Sequence, residues 1–284
     1  MVNLIASFFG MIIRLIYNLV NHNYFISILI FTLFTKLVLL PLYLKQMKST
    51  EEMKKIAPLE KKIQEKYKND KQKQAEELTK LMSEHKINPL GGCLPLLIQI
   101  PIILAMFAIV RQPLTYILNM SQEQIKTYAV EVYSEVGEEN IDEKFIKNNE
   151  INIAKEKDLL DMQVCKGFNL GEVPANVFSK DETKKASPVA LVIPIFTFIL
   201  SIISNKLLQK NTSDMQAVSE EQEQMQKSMN MMMSLLSASI AYSMPLALGV
   251  YWLFGNILQI IQQIVISRIM KKDEEKLALK EGGK

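Results

Sequence analysis

The fold class predicted by this sequence is an all-α polytopic membrane protein, and three observations predict it. Of the 284 residues, 49 % are hydrophobic, and they gather into long runs. Runs rich in Lys and Glu separate those apolar stretches. Asp and Glu are missing from every apolar run long enough to matter. A soluble domain disperses its apolar residues into short amphipathic segments. Alternation on this scale marks helices that cross lipid and connections that do not. The net charge of +3 averages unlike compartments and decides little.

A crossing helix requires about 20 largely apolar residues. The first run is 24–44, the second 91–112 and the third 188–208. The last apolar region, Met229 to Ile269, is too long for one crossing. Met244-Pro245 and then Gly249 break it, which gives spans at 229–245 and 246–268. Five spans are expected in all.

Residues 1–23 carry Asn3, Ser7, Gly10, Arg14, Asn18 and Asn21 at spacings of three and four, with Leu4, Phe8, Ile12, Ile16 and Leu19 among the residues elsewhere. This pattern predicts an amphipathic helix lying in the outer interface. A signal peptide would have a basic leading region and a small-residue cleavage site. MVNLIASFFG lacks the basic part, and Arg14 interrupts the apolar stretch.

The segment 45–90 is rich in helix formers. Met53, Ile56, Leu59, Ile63 and Tyr67 recur at helical spacing, as do Leu78, Leu81 and Met82. Asn69-Asp70 between them reads as a turn, so two antiparallel helices are expected, with Pro58 kinking or interrupting the first. Twelve lysines lie between Lys45 and Lys86. By the positive-inside rule this hairpin is cytoplasmic, and so is the tail 269–284 with Lys271, Lys272, Lys276 and Lys280. The connection 209–228 falls on the same side. Five spans then place the N-terminus outside and the C-terminus inside. The acidic segment 113–187 falls outside and reads as a long loop.

Lys36 is the most informative residue within a span. It lies eight positions before Leu44, so ~12 Å of helix separates it from the cytoplasmic end. A lysine at mid-membrane costs about 2.5–3.5 kcal/mol on insertion scales. No span offers a carboxylate partner, which favours a wet cavity around it. Thr32 shares its face, and Gln99 sits in the second span. Thr197, Ser201 and Ser204 form a stripe on the third, Asn230, Ser234 and Ser237 on the fourth, and Trp252, Asn256, Gln259 and Gln263 on the fifth. Any one stripe is explained by helix-to-helix bonding. Stripes on several helices together with a lysine point to a shared hydrophilic groove.

No GxSxG, HExxH or Walker A sequence occurs. Cys93 and Cys165 form no CxxC, and His22 and His85 are far apart. Neither an enzyme, a metal site nor a cofactor is expected.

Asn88 to Pro101, NPLGGCLPLLIQIP, resembles the most recognisable motif of the YidC membrane protein insertases. FTLFTKLVLLPLYLKQMKS (31–49) is similar to that family's first core span, and EEMKKIAPLEKKIQEKYKND (51–70) to the first arm of its cytoplasmic hairpin. GFNLGEVP (167–174) and LALGVYWLFGNILQIIQQ (246–263) resemble segments before the third and within the last core span. The resemblance thus runs in order through 24–268. The resemblance implies a groove open to the cytoplasm and to lipid, closed outside. It implies that Lys36 stands where the family usually has arginine, that Thr32 matches a polar position one turn away, and that Trp252 follows Tyr251 at an aromatic groove position. Lysine keeps the charge and loses the bidentate fork. No cysteine lies near the N-terminus, so the lipoprotein signal of single-membrane bacterial members is not expected, although the compact outer region resembles the Gram-positive type.

The function expected is an insertase and chaperone of the cell membrane that folds nascent membrane proteins through the groove. Its client-binding residues are Lys36, Thr32, Gln99, Ser201, Ser204, Ser237, Trp252, Asn256 and Gln259. Its partners are nascent membrane-protein clients and membrane lipids, with the ribosome and the Sec translocon admitted, and without sequence-specific nucleic-acid binding. The alternative is a small-solute or ion transporter using Lys36 as an intramembrane site. Transporters often carry repeats and broken helices, and no repeat is evident here.

Overall fold

The structure is a computed structural model, and it describes residues 2–85, 94–180, 185–213 and 220–281. Of the motif at 88–101, Asn88 to Cys93 lies outside the described residues, as does 214–219 of the connection 209–228. The helices are α1 (Val2–Leu19), α2 (Tyr24–Lys66), α3 (Lys71–Glu84), α4 (Leu94–Arg111), α5 (Pro113–Tyr116), α6 (Gln122–Val132), α7 (Glu143–Glu156), α8 (Val192–Ser213), α9 (Glu220–Ser243) and α10 (Leu246–Glu281). A short antiparallel pair, β1 (Gln163–Cys165) and β2 (Phe168–Asn169), follows α7.

Among the described residues, three segments are long and apolar enough to cross a bilayer: Tyr24–Ser49, Pro188–Leu207 and Leu246–Met270. Each buries a third or less of its most apolar window against protein. Their remaining apolar surface calls for lipid. Gln99–Arg111 and Met231–Ser243 are shorter apolar helices. The protein is therefore a helical membrane protein.

The chain forms two compact units. The first holds Met1–Thr35, Ile98–Phe198 and Leu236–Gly255. In it α1 turns Ala6, Gly10, Ile13 and Tyr17 inward and leaves Leu4, Phe8, Met11, Leu15 and Leu19 exposed. Gly10 thus does not belong to a solvent-facing polar stripe. A Cβ there would stand 3.0 Å from the Tyr116 carbonyl oxygen, so glycine permits α1 to approach α5 closely.

The described part of 113–187 carries α5, α6, α7 and the β1–β2 pair. Ser121 and Gln124 cap α6 reciprocally, and α6 packs on α7 with the Tyr133 and Phe145 rings edge to face. Glu150 on α7 is fully buried. Its two oxygens accept from the backbone N–H of Thr115 at 3.0 Å and the Thr115 hydroxyl at 2.6 Å.

The segment GFNLGEVP meets the start of α10. The first N–H groups of a helix have no partner of their own. Here Leu246 and Ala247 donate theirs to the carbonyls of Glu172, at 2.8 Å, and Leu170, at 2.9 Å. The helix break falls at Met244-Pro245, between α9 and α10, as the proline requires. Gly249 is not part of the break. It lies inside α10, where a Cβ would come within 2.7 Å of an Ile193 methyl, so its smallness serves close packing with α8.

The second unit holds Lys36–Leu97, Ile199–Leu235 and Asn256–Lys284. Helix α2 continues to Lys66, and Pro58 neither stops nor interrupts it. The chain turns at 67–69, and the Asp70 carboxylate caps α3 by accepting from the Lys73 N–H at 3.0 Å. Ile56 and Leu81 bury one another, with Ile63 and Met82 beside them. The connection 209–228 is helical at both ends, since α8 runs to Ser213 and α9 starts at Glu220.

Candidate functional site

The second unit assembles a polar network from α2, α8, α9 and α10. Lys36 is the twelfth residue after Tyr24 and the thirteenth before Ser49 in the first candidate span. That places it roughly 18–20 Å of helix from either end, deeper than a boundary at Leu44 implies. Its ammonium donates to the Gln259 side-chain oxygen at 3.3 Å. The Gln262 amide donates to the Lys36 backbone carbonyl, also at 3.3 Å. Two glutamines of α10 therefore hold one residue of α2, one by its charge and one by its backbone.

A neutral amide is a weak substitute for a counter-ion. It offers one partial negative charge to an ammonium with three donors. Lys36 is thus oriented but not neutralised, and among the described residues no carboxylate pairs with it.

Three further bonds knit the same unit. Asn256 donates to the Ser201 hydroxyl at 3.2 Å, Gln263 to the Ser204 hydroxyl at 3.3 Å, and Asn205 to the Ser234 hydroxyl at 2.9 Å. Ser201, Ser204 and Ser234 are buried. Helix-to-helix bonding therefore occupies Ser201 and Ser204 of the α8 stripe and Asn256, Gln259 and Gln263 of the α10 stripe.

The other predicted residues lie in the first unit. The Thr32 hydroxyl donates to the Ile28 carbonyl one turn back, at 2.6 Å, so its proton is committed to its own helix. Gln99 and Thr35 are side-chain partners of the Tyr251 phenol. Ser237 is buried and Trp252 half-buried.

Sequence reasoning missed Asn205, Gln262 and Thr35. Asn205 lies four residues after Ser201, so the stripe of α8 already pointed to it. Gln262 lies three residues after Gln259 and so neighbours it on the helix surface, but spacing within α10 could not show that it bonds the backbone of α2.

The family described as 60Kd inner membrane protein matches residues 15–274 of the chain. The chain is 29 % identical over 267 residues to the membrane protein insertase YidC of Caldanaerobacter subterraneus subsp. tengcongensis, covering 94 % of this chain and 96 % of that one. It belongs to the YidC family. A second relative, the membrane protein insertase YidC of Clostridium tetani, is 29 % identical over 273 residues, 95 % of this chain and 94 % of its own. A third, that of Fusobacterium nucleatum subsp. nucleatum, is 54 % identical over 89 residues, which are 31 % of this chain and 43 % of the relative.

Proposed function

We propose that the chain inserts and helps fold membrane proteins through the polar network around Lys36. The single observation that carries the site is the Lys36–Gln259 bond, a mid-span ammonium held by a neutral amide. A cation held this way can exchange its partner. An acidic group of an entering client offers a full charge where Gln259 offers a dipole. Once the polar segment has passed, Gln259 recovers the ammonium and the client is released. Burial of the client's apolar segment in lipid drives the step. Ser201, Ser204, Asn256 and Gln259 line the entry in this reading.

The topology belongs to the same proposal. Two shorter apolar helices, Gln99–Arg111 and Met231–Ser243, join the three longer spans to make five. The lysine-rich hairpin of α2 and α3 faces the cytoplasm and meets the client, which the ribosome or the Sec translocon hands over. The N-terminus is outside, with α1 in the interface, and the C-terminus inside. The transporter alternative has no support: the relatives are named insertases, and the hairpin is surplus to carrying a solute.

Gln259→Glu tests the exchange. It places a carboxylate beside Lys36 and neutralises the charge without removing the lysine. Reconstituted in vesicles, this variant should insert a client with an acidic translocated segment roughly tenfold more slowly, since a buried pair holds its charges tightly. A neutral client should be affected far less. Equal insertion of the acidic client by parent and variant would rule the exchange out.

A further inference from the structure

A cavity of about 500 Å³ lies in the first unit where α4 ends against α7. It is within the size of small-ligand sites and shares no lining residue with the Lys36 network. One wall is apolar: Leu104, Phe107 and Ala108 of α4. That wall continues a turn further along the same helix face to Ile100, and Ile100 and Leu104 are 45 % and 43 % exposed. The face is an exposed apolar track among the described residues, on an apolar helix that the proposed topology places in the bilayer.

The track ends on cations. Arg111, Lys144 and Lys147 line the cavity, and Glu143 is the one acid among its lining residues. Glu143 is engaged by Lys147. Arg111 lies over the Phe107 ring, 5.1 Å from its centroid, and donates to the Asn148 side chain at 3.2 Å. One such bond leaves most of the guanidinium's five donors unspent. Lys144 makes no ion pair among the described residues. A cation in the last turn of a helix complements the helix dipole, which accounts for Arg111 alone. It does not account for two lysines brought to the same cavity by another helix.

An apolar track closed by an excess of positive charge is complementary to one kind of molecule. We propose that this cavity binds an anionic phospholipid, its phosphate among Arg111, Lys144 and Lys147 and the upper part of one acyl chain along Phe107, Leu104 and Ile100. Basic pockets beside membrane helices select anionic headgroups by charge, and a planar guanidinium grips phosphate oxygens in pairs. The bound lipid would tie the end of α4 to α7, which the protein itself joins through the Arg111–Asn148 bond.

The test uses the full-length protein in vesicles containing a trace of phosphatidylglycerol with a photoreactive acyl chain, or the phosphatidylcholine equivalent. Cross-linked peptides are then mapped by mass spectrometry. Phosphatidylglycerol should mark 98–111 at least fivefold more than phosphatidylcholine does. Arg111→Gln with Lys144→Gln should abolish that preference and leave cross-links on the lysine-rich segment 45–85 unchanged. Arg111→Lys should keep most of it. Lys144→Gln, an exposed substitution that leaves Arg111 in place, should weaken it at least twofold and guards against misfolding of the double variant. The proposal is overturned if both lipids mark α4 equally, or if the Lys144 variant and the double variant retain the full preference. It is also overturned if millimolar inorganic phosphate or an acidic peptide removes the cross-links, because the occupant would then be a free anion or a client segment.

Discussion

Glu150 shows how the surroundings of one residue set its chemistry. Its carboxyl is completely buried, and burial pushes its pKa above the ordinary value, against the opposing bonds from Thr115. The folded protein therefore holds this proton to higher pH than the unfolded chain does. Its contribution to stability is greatest when the group is protonated, and it declines as pH rises from the unfolded pKa through the folded one. Thermal unfolding in detergent should accordingly show stability rising from neutral pH toward the mildly acidic range. Glu150→Gln should flatten that rise; a variant with the parent's pH profile would remove Glu150 as its source. The same buried acid was invisible in the sequence, where it is one of many Glu residues in a polar segment. Lys36 was legible by contrast, because a charge within an apolar run has a cost that composition alone reveals. Its partner was half legible. Gln259 stood on a predicted stripe, but spacing within α10 cannot say which residue of α2 it meets.

At the scale of elements, apolar length and proline positions were the readable signals. They located α2, α8 and the break between α9 and α10. At position 58 the proline does not interrupt the helix, and α2 runs on. Pro58 is exposed, so water can bond the carbonyl that its missing N–H leaves without a helical partner, and the helix formers around it sustain the helix. Glycine misled at 10, placed on a polar face, and at 249, read as part of a helix break; at both a missing Cβ serves close approach. The helices within 113–187 were not legible because they are short and polar, and their stability comes from caps and mutual packing rather than from long apolar stripes. The contact between α2 and α3 rests on a small core centred on Ile56 and Leu81. Ile56→Ala should therefore cost about 2–5 kcal/mol. Amide exchange within 71–84 should accelerate by at least roughly twentyfold relative to the parent. Unchanged protection there would show that α3 is held by something other than this pair.

For the whole molecule, the asymmetric distribution of lysine is the argument for orientation. Cysteines introduced at Glu65 and Glu139 report on the two sides. In intact cells, an impermeant thiol reagent should label the second and spare the first, in a background where Cys165, which is exposed, has been replaced by serine. The opposite pattern would invert the proposed topology and with it the direction of client entry.

The central claim is that the charge at Lys36, rather than its role in joining helices, moves clients. Two unit charges about 4 Å apart attract by ~1 kcal/mol in bulk water and by ~4 kcal/mol at an effective dielectric constant of about 20. A groove between these limits should make the loss of the charge worth roughly tenfold in rate. The decisive measurement is insertion into vesicles of two clients that differ only in whether the translocated segment is acidic or neutral, with rates normalised to the amount of folded insertase. Lys36→Arg should match the parent for both clients. Lys36→Ala should slow the acidic client roughly tenfold, Lys36→Glu should slow it further by repulsion, and the neutral client should change little. Parental rates for the acidic client in the Ala and Glu variants, or equal losses for both clients, would contradict the account.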